Sequence, residues 1–174
     1  MNTIPFNPGR RRLLASGGGL LLTAALIRRA GAADEVVIEM SGTPDGARVW
    51  FRPRGLLIRP GQTVRWVNRQ AGSAHTTTAY HPDNGKPLRI PAAATPWNSG
   101  YLLPDQSFAT VLDVPGVYDY FCIPHEMAGM VGRIIVGEAP AGVEPYAATD
   151  TKLPAVALAN FPTVADILKT GHVD

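Results

Sequence analysis

The chain has 174 residues, with 16 Lys and Arg against 14 Asp and Glu, for a formal net charge of +2. The basic excess is local: Arg10, Arg11, Arg12, Arg28 and Arg29 crowd the first 30 residues, and every acidic residue lies from Asp34 onward. Past that boundary 11 basic residues face 14 acidic ones, a net of −3, which argues against the basic patch that nucleic-acid binding needs.

The first segment reads as an export signal. A basic stretch ending in Arg10-Arg11-Arg12 precedes an apolar run over residues 13–27, and small residues follow in Ala30-Gly31-Ala32-Ala33. Adjacent arginines before Leu13-Leu14 resemble a twin-arginine signal, with Gly9 where Ser or Thr is usual and Ala15 where Lys is common. The expectation is removal of residues 1–33 and a periplasmic or otherwise exported protein. Retention as an anchor is the rival reading. The run is short against the roughly 20 residues a span requires, so no stable membrane insertion is expected. About 141 residues would remain, one ordinary domain that needs no disulfide staples.

From residue 35 the pattern is β. Residues 35–40, 48–51 and 55–58 are strand candidates, and Pro60-Gly61 is a turn signal. Residues 63–68 alternate, with Val64 and Trp66 on one face; residues 107–112 alternate as well. Pro115-Gly116 turns into a strand over 117–122, and 132–136 closes the series. Short strands separated by such turns imply an all-β, two-sheet sandwich. Residues 81–105 carry five prolines and little periodicity, which predicts a long loop with short strands at most. Residues 139–174 read as a C-terminal extension with one short helix, capped by Thr163, with Asp166 three residues on and Gly171 as its stop.

The chemistry concentrates in Cys122-Ile123-Pro124-His125-Glu126-Met127-Ala128-Gly129-Met130. A thiol, an imidazole and a thioether fall within nine positions at a strand end, and Gly129 permits the turn that returns them to one point. His75 follows the 63–68 strand, on what would be the other sheet. Two His, one Cys and a weak axial Met form the trigonal site of a blue-copper electron-transfer protein. Cys122 is the sole cysteine, and a lone thiol in an exported protein is an oxidation liability unless a metal occupies it. The competing account is a buried inert core cysteine.

The Cys-x-x-His-x-x-x-x-Met spacing, Tyr118-Asp119-Tyr120-Phe121-Cys122, Pro60-Gly61-x-x-Val64-x-Trp66 and Asn98-Ser99-Gly100 together resemble the cupredoxin family. The likeness is greatest to its plastocyanin, pseudoazurin and halocyanin group and covers about residues 35–137. It implies a cupredoxin-like Greek-key β-sandwich over residues 34–138 and one type 1 copper ion. His75, Cys122 and His125 would be equatorial ligands and Met130 the axial one. Redox proteins, a cytochrome or a copper enzyme, would dock near the exposed edge of His125, within an apolar patch supplied by Pro124, Met127, Ala128 and Gly129. Thr76 stands where many members carry Asn. Its Oγ1 is expected to replace the Asn tether, and its N–H to bond the Cys122 sulfur. Pro124, without an N–H, offers no second such bond.

Alternatives stand beside each ligand: Met127 for Met130, His81 for His75, and Glu126 as a carboxylate ligand. His81 and His172 otherwise read as exposed, and Tyr118 and Tyr120 as core and corner residues rather than redox relays. The function expected is an electron carrier without substrate turnover. A copper storage or delivery protein is the alternative, and a copper oxidoreductase subunit a weaker one. Enzymes of that kind need further copper centres, whereas the chain has four histidines in all and no second cysteine.

Overall fold

The computed structural model describes residues 35–139, 144–147 and 152–174. The basic stretch, the apolar run and the cleavage region expected over 1–33 lie outside the described residues. Among the described residues no helix is long and apolar enough to cross a membrane.

The chain runs β1 (Val36–Gly42), β2 (Val49–Arg52), β3 (Gly55–Ile58), β4 (Gln62–Asn68) and β5 (Thr78–Ala79). It continues through β6 (Ser107–Leu112), β7 (Gly116–Phe121) and β8 (Val131–Val136). Two helices, α1 (Ala155–Asn160) and α2 (Val164–Thr170), and the short strand β9 (His172–Val173) complete it. One sheet has the order β2-β1-β4-β6 and the other β5-β7-β8-β3-β9. Each of the seven strands read from the sequence is present, with ends moved by a residue or two.

The sandwich forms because alternation in the two sheets aims large side chains at the same space. Val64 and Trp66 of β4 are both fully buried, as their shared face predicts. Trp66 meets Tyr120 of β7 edge-on at 5.4 Å, and Phe51 of β2 meets the same ring at 4.7 Å. Tyr118 and Tyr120 are both buried, and the Tyr118 hydroxyl donates to the Val114 carbonyl at 2.6 Å.

The segment 81–105 is more ordered than its composition suggests. It contains a 3-10 turn, Pro82–Asn84, and bridges at His75–Leu102 and Thr78–Asn98. Trp97 enters the core 5.4 Å from Trp66 and donates from Nε1 to Thr77 Oγ1 at 3.0 Å.

The expected C-terminal helix is α2, with Thr163 Oγ1 accepting from the Asp166 N–H at 3.1 Å and Gly171 at its end. Helix α1 and strand β9 were not foreseen. β9 pairs antiparallel with β3, so His172 is exposed on a strand rather than on a loose tail. The extension covers the outer face of the β7–β8 sheet, where Val117 and Ile135 pack against Val164 and Ile167. For that reason all six residues of β8 are buried. A Cβ on Gly55 would stand 2.8 Å from Ile167, so only glycine lets α2 approach β3 this closely.

The same covered face holds a charge cluster. Asp119 of β7 is fully buried and paired with Arg89 at 2.9 Å and Arg133 at 2.7 Å. Arg133 also reaches Glu144 and donates to the Pro162 carbonyl at 3.0 Å. The Phe161 ring lies 5.1 Å and 5.3 Å from the two guanidiniums.

Candidate metal centre

β7 ends at Phe121, and Cys122 opens a 3-10 turn, Ile123–Ala128, that Gly129 closes in the left-handed region at φ 79°. Backbone bonds tie this turn into a closed loop. His125 N–H donates to Cys122 O at 3.0 Å, Met130 N–H to His125 O at 3.1 Å, and Cys122 N–H to Met130 O at 3.0 Å. Pro124 sits in the first turn, where a missing N–H costs nothing. The second contributor follows β4 of the other sheet. His75 exchanges two backbone bonds with Leu102, at 3.1 and 2.8 Å. The Asn68 amide, at the end of β4, donates to the Ser73 and Leu102 carbonyls and so fixes that loop.

His75, Cys122 and His125 converge as the sequence predicts, their ligand atoms all within 4.8 Å of one another. Cys122 Sγ lies 3.6 Å from His75 Nδ1 and 3.4 Å from His125 Nδ1. Met130 is fully buried at the end of the same loop, whereas Met127 is 76% exposed.

The electrostatics favour soft-metal ligation. Burial, reinforced by the neighbouring His125, pushes His75 down to about 4; burial also lowers His125. Both imidazoles are neutral at pH 7, with a lone pair to offer. Which nitrogen of His75 is free follows from Gln70. The Gln70 amide donates from Nε2 to the Thr43 carbonyl at 3.1 Å, so its Oε1 faces His75 Nε2 at 2.7 Å. Oε1 only accepts, so the proton sits on Nε2 and Nδ1 is open. Burial pushes the Cys122 thiol up to about 11, against the downward pull of the Thr76 N–H, so metal uptake has to release that proton.

Thr76 does both things expected of it. Its N–H bonds Cys122 Sγ at 3.2 Å, and its Oγ1 accepts the Ile123 N–H at 2.8 Å, joining the His75 loop to the Cys122 loop. Thr78 Oγ1 supports Thr76 Oγ1 at 3.2 Å.

The rival ligands are placed elsewhere. His81 is not an exposed loop histidine: it is partly buried and caps the Pro82–Asn84 turn, with Nδ1 accepting from the Asp83 N–H at 3.1 Å. Glu126 is buried against Tyr80 OH at 2.9 Å and the Lys86 ammonium, and its carboxylate is occupied there. Gly129, expected in the surface patch, is buried under α1, where Asn160 Nδ2 donates to its carbonyl at 3.0 Å. The exposed residues around the half-buried His125 are Ile123, Pro124, Met127 and Ala128. Tyr101 and Leu103, both exposed, flank the Leu102 that pairs with His75.

Gln70 and Asn160 escaped the sequence reading. Neither belongs to a ligand spacing: Asn160 holds a carbonyl distant in sequence, and Gln70, though near His75 in sequence, is oriented by the distant Thr43. Two neutral imidazoles, one thiol and a buried thioether at the loop's end suit copper in both its oxidation states.

Comparison with known proteins points the same way. The family model described as "Copper binding proteins, plastocyanin/azurin family" matches residues 38–137. The chain is 37% identical over 95 residues to a plastocyanin of Scenedesmus fuscus, covering 55% of this chain and 93% of the relative. It is 36% identical over 114 residues to a putative pseudoazurin of Rhizobium leguminosarum bv. viciae, covering 66% and 67%. Of chloroplastic plastocyanins at similar identity it spans less than two thirds, 63% and 61% of their own length. Among solved structures a Sinorhizobium pseudoazurin is similar, with TM-score 0.56, 28% identity, and coverage of 79% of this chain and 98% of that one.

Proposed function

Since this chain belongs to the plastocyanin/azurin family of copper-binding proteins, we propose that it is an exported carrier of single electrons, using one copper ion held by His75, Cys122, His125 and Met130. The observation that carries this reading is the convergence of His75 Nδ1, Cys122 Sγ and His125 Nδ1 at one buried end of the sandwich. The bound ion would supply a Cu(I)/Cu(II) couple. The chain's own contribution is rigidity. His75 is fixed by Leu102 and Gln70, Cys122 by Thr76 and Met130, and His125 by the closed loop. Ligands held from two sheets keep their places when the charge changes, which keeps electron transfer fast.

His125 is the half-buried ligand, and Ile123, Pro124, Met127 and Ala128 surround it. A patch of these four exposed residues suits the weak docking of a redox partner, a cytochrome or a copper enzyme. Residues 34–138 act as the carrier, 139–174 as an extension whose described helices pack on it, and 1–33 as a twin-arginine-type export signal that is removed. No substrate turnover is assigned to the chain.

The test is a Cu(II) titration of the chain from residue 34, followed by visible and EPR spectroscopy and then by ascorbate. An intense blue band with small copper hyperfine splitting, bleached reversibly, is the expected result. Cys122→Ser should lose the band and keep the sandwich by circular dichroism. A colourless copper adduct, or a blue Cys122→Ser protein, would overturn the assignment and favour storage or delivery.

A further inference from the structure

We propose that Asn160, on the C-terminal helix α1, is a positioning residue for the metal centre: its side-chain amide fixes the peptide that presents Met130. The proposal rests on the reading of Met130 as the axial ligand. Four bonds hold the two peptides flanking the Met130 Cα. The Gly129 carbonyl accepts from Asn160 Nδ2 and from the Val131 N–H, both at 3.0 Å, the Met130 N–H donates to His125 O at 3.1 Å, and the Met130 carbonyl accepts from Cys122 N–H at 3.0 Å. Three of these bonds are made by the loop itself and the first residue of β8. The fourth comes from α1, outside it.

The approach is tight. A Cβ on Gly129 would stand 2.1 Å from Asn160 Nδ2 and 3.1 Å from Val156, so the helix rests directly on the loop. Asn160 is itself anchored on both sides. Ala157 is fully buried in a cluster with Tyr80 and Phe121, and the Phe161 ring lies over Arg89 and Arg133. A thioether is a weak, long axial ligand, so the scaffold rather than the bond sets its distance, and the axial ligand tunes the redox potential. Removing the Asn160 donor therefore leaves the Gly129 carbonyl with the Val131 N–H alone and loosens the peptide on which that distance depends.

Asn160→Leu keeps the branched shape and removes the donor; Asn160→Ala removes both and serves if the bulkier leucine misfolds. Val156→Ala trims the same helix contact and leaves the hydrogen bond. In the metal-free chain, amide hydrogen exchange at Met130 should quicken about fivefold in both Asn160 variants, the factor expected from one hydrogen bond. In the copper-loaded chain, the visible band ratio, the EPR rhombicity and the potential should all shift, while Val156→Ala matches the parent. Unchanged Met130 exchange overturns the proposal. So does faster exchange with a parental spectrum and potential. If the parent takes up no blue copper, the ligand reading has failed instead, and the metal-free exchange alone decides whether Asn160 holds this peptide.

Discussion

Gln70 settles which nitrogen of His75 faces the site, and it does so from 5% exposure with its own amide anchored on Thr43. Replacing Gln70 with Leu removes the acceptor and leaves the Nε2–H buried without a partner. Such supports of a ligating histidine are typically worth 10–100-fold in metal affinity. Copper affinity measured by competition with a chelator should fall by about that factor, with circular dichroism unchanged. The two histidines also make a prediction for the metal-free chain. Burial holds both below the ordinary histidine value, His75 at about 4, so between there and pH 6.5 the unfolded chain binds more protons than the folded one. Folding stability from this source is fully present above pH 6.5 and is lost as pH falls toward 4. Urea midpoints of the metal-free protein should decline across that window, and the decline should shrink in His75→Phe. The cluster of His75, Cys122 and His125 was legible, because a thiol and imidazoles at those spacings have few other joint uses. Gln70 was not, since a glutamine five residues before a histidine carries no pattern until the loop is folded.

The strands were legible because period-2 alternation and Pro-Gly turns are local signals, and Val64 and Trp66 bury as that pattern requires. The Pro-rich segment was not, because its order comes from Trp97 and Arg89 inserting into partners distant in sequence. Helix α1 was missed for a similar reason: it has six residues, no side-chain cap and a single buried position, so packing rather than propensity makes it. The glycine that ends the ligand turn gives a sharp test of that packing. Gly129 and Gly171 share φ +79°, but a Cβ meets Asn160 at the first and open space at the second. Gly171→Ala should therefore cost only the left-handed strain, about 1–2 kcal/mol. Gly129→Ala carries the same strain plus the clash with α1, so its urea midpoint should be clearly lower than that of Gly171→Ala. Equal midpoints would mean that α1 yields without resistance.

Asp119 shows where a sequence pattern gives the right direction and the wrong surroundings. Alternation with Tyr118 and Tyr120 aims it out of the sandwich, and it does point outward. That outer face is covered, however, by the Pro-rich segment and the C-terminal extension. Asp119 thus pairs with two nearly buried guanidiniums, Arg89 and Arg133; Glu144 of the extension supplies the second negative charge, and Phe161 lies over both guanidiniums. The cluster joins three parts of the chain: the sheet, the long loop and the extension. Breaking a buried pair by removing one partner leaves an uncompensated charge and costs about 3–5 kcal/mol, whereas an exposed pair is worth about 0–1 kcal/mol. Asp119→Asn should therefore lower the unfolding free energy by several kcal/mol in urea. Glu35→Gln, which breaks the exposed Arg65 pair at 2.8 Å, should change it little. The destabilisation should also have a location. If the cluster is what docks the extension, limited proteolysis of Asp119→Asn should cut the chain beyond residue 139 before it cuts the sandwich. Simultaneous loss of both parts would instead show that the extension and the sandwich unfold as one unit.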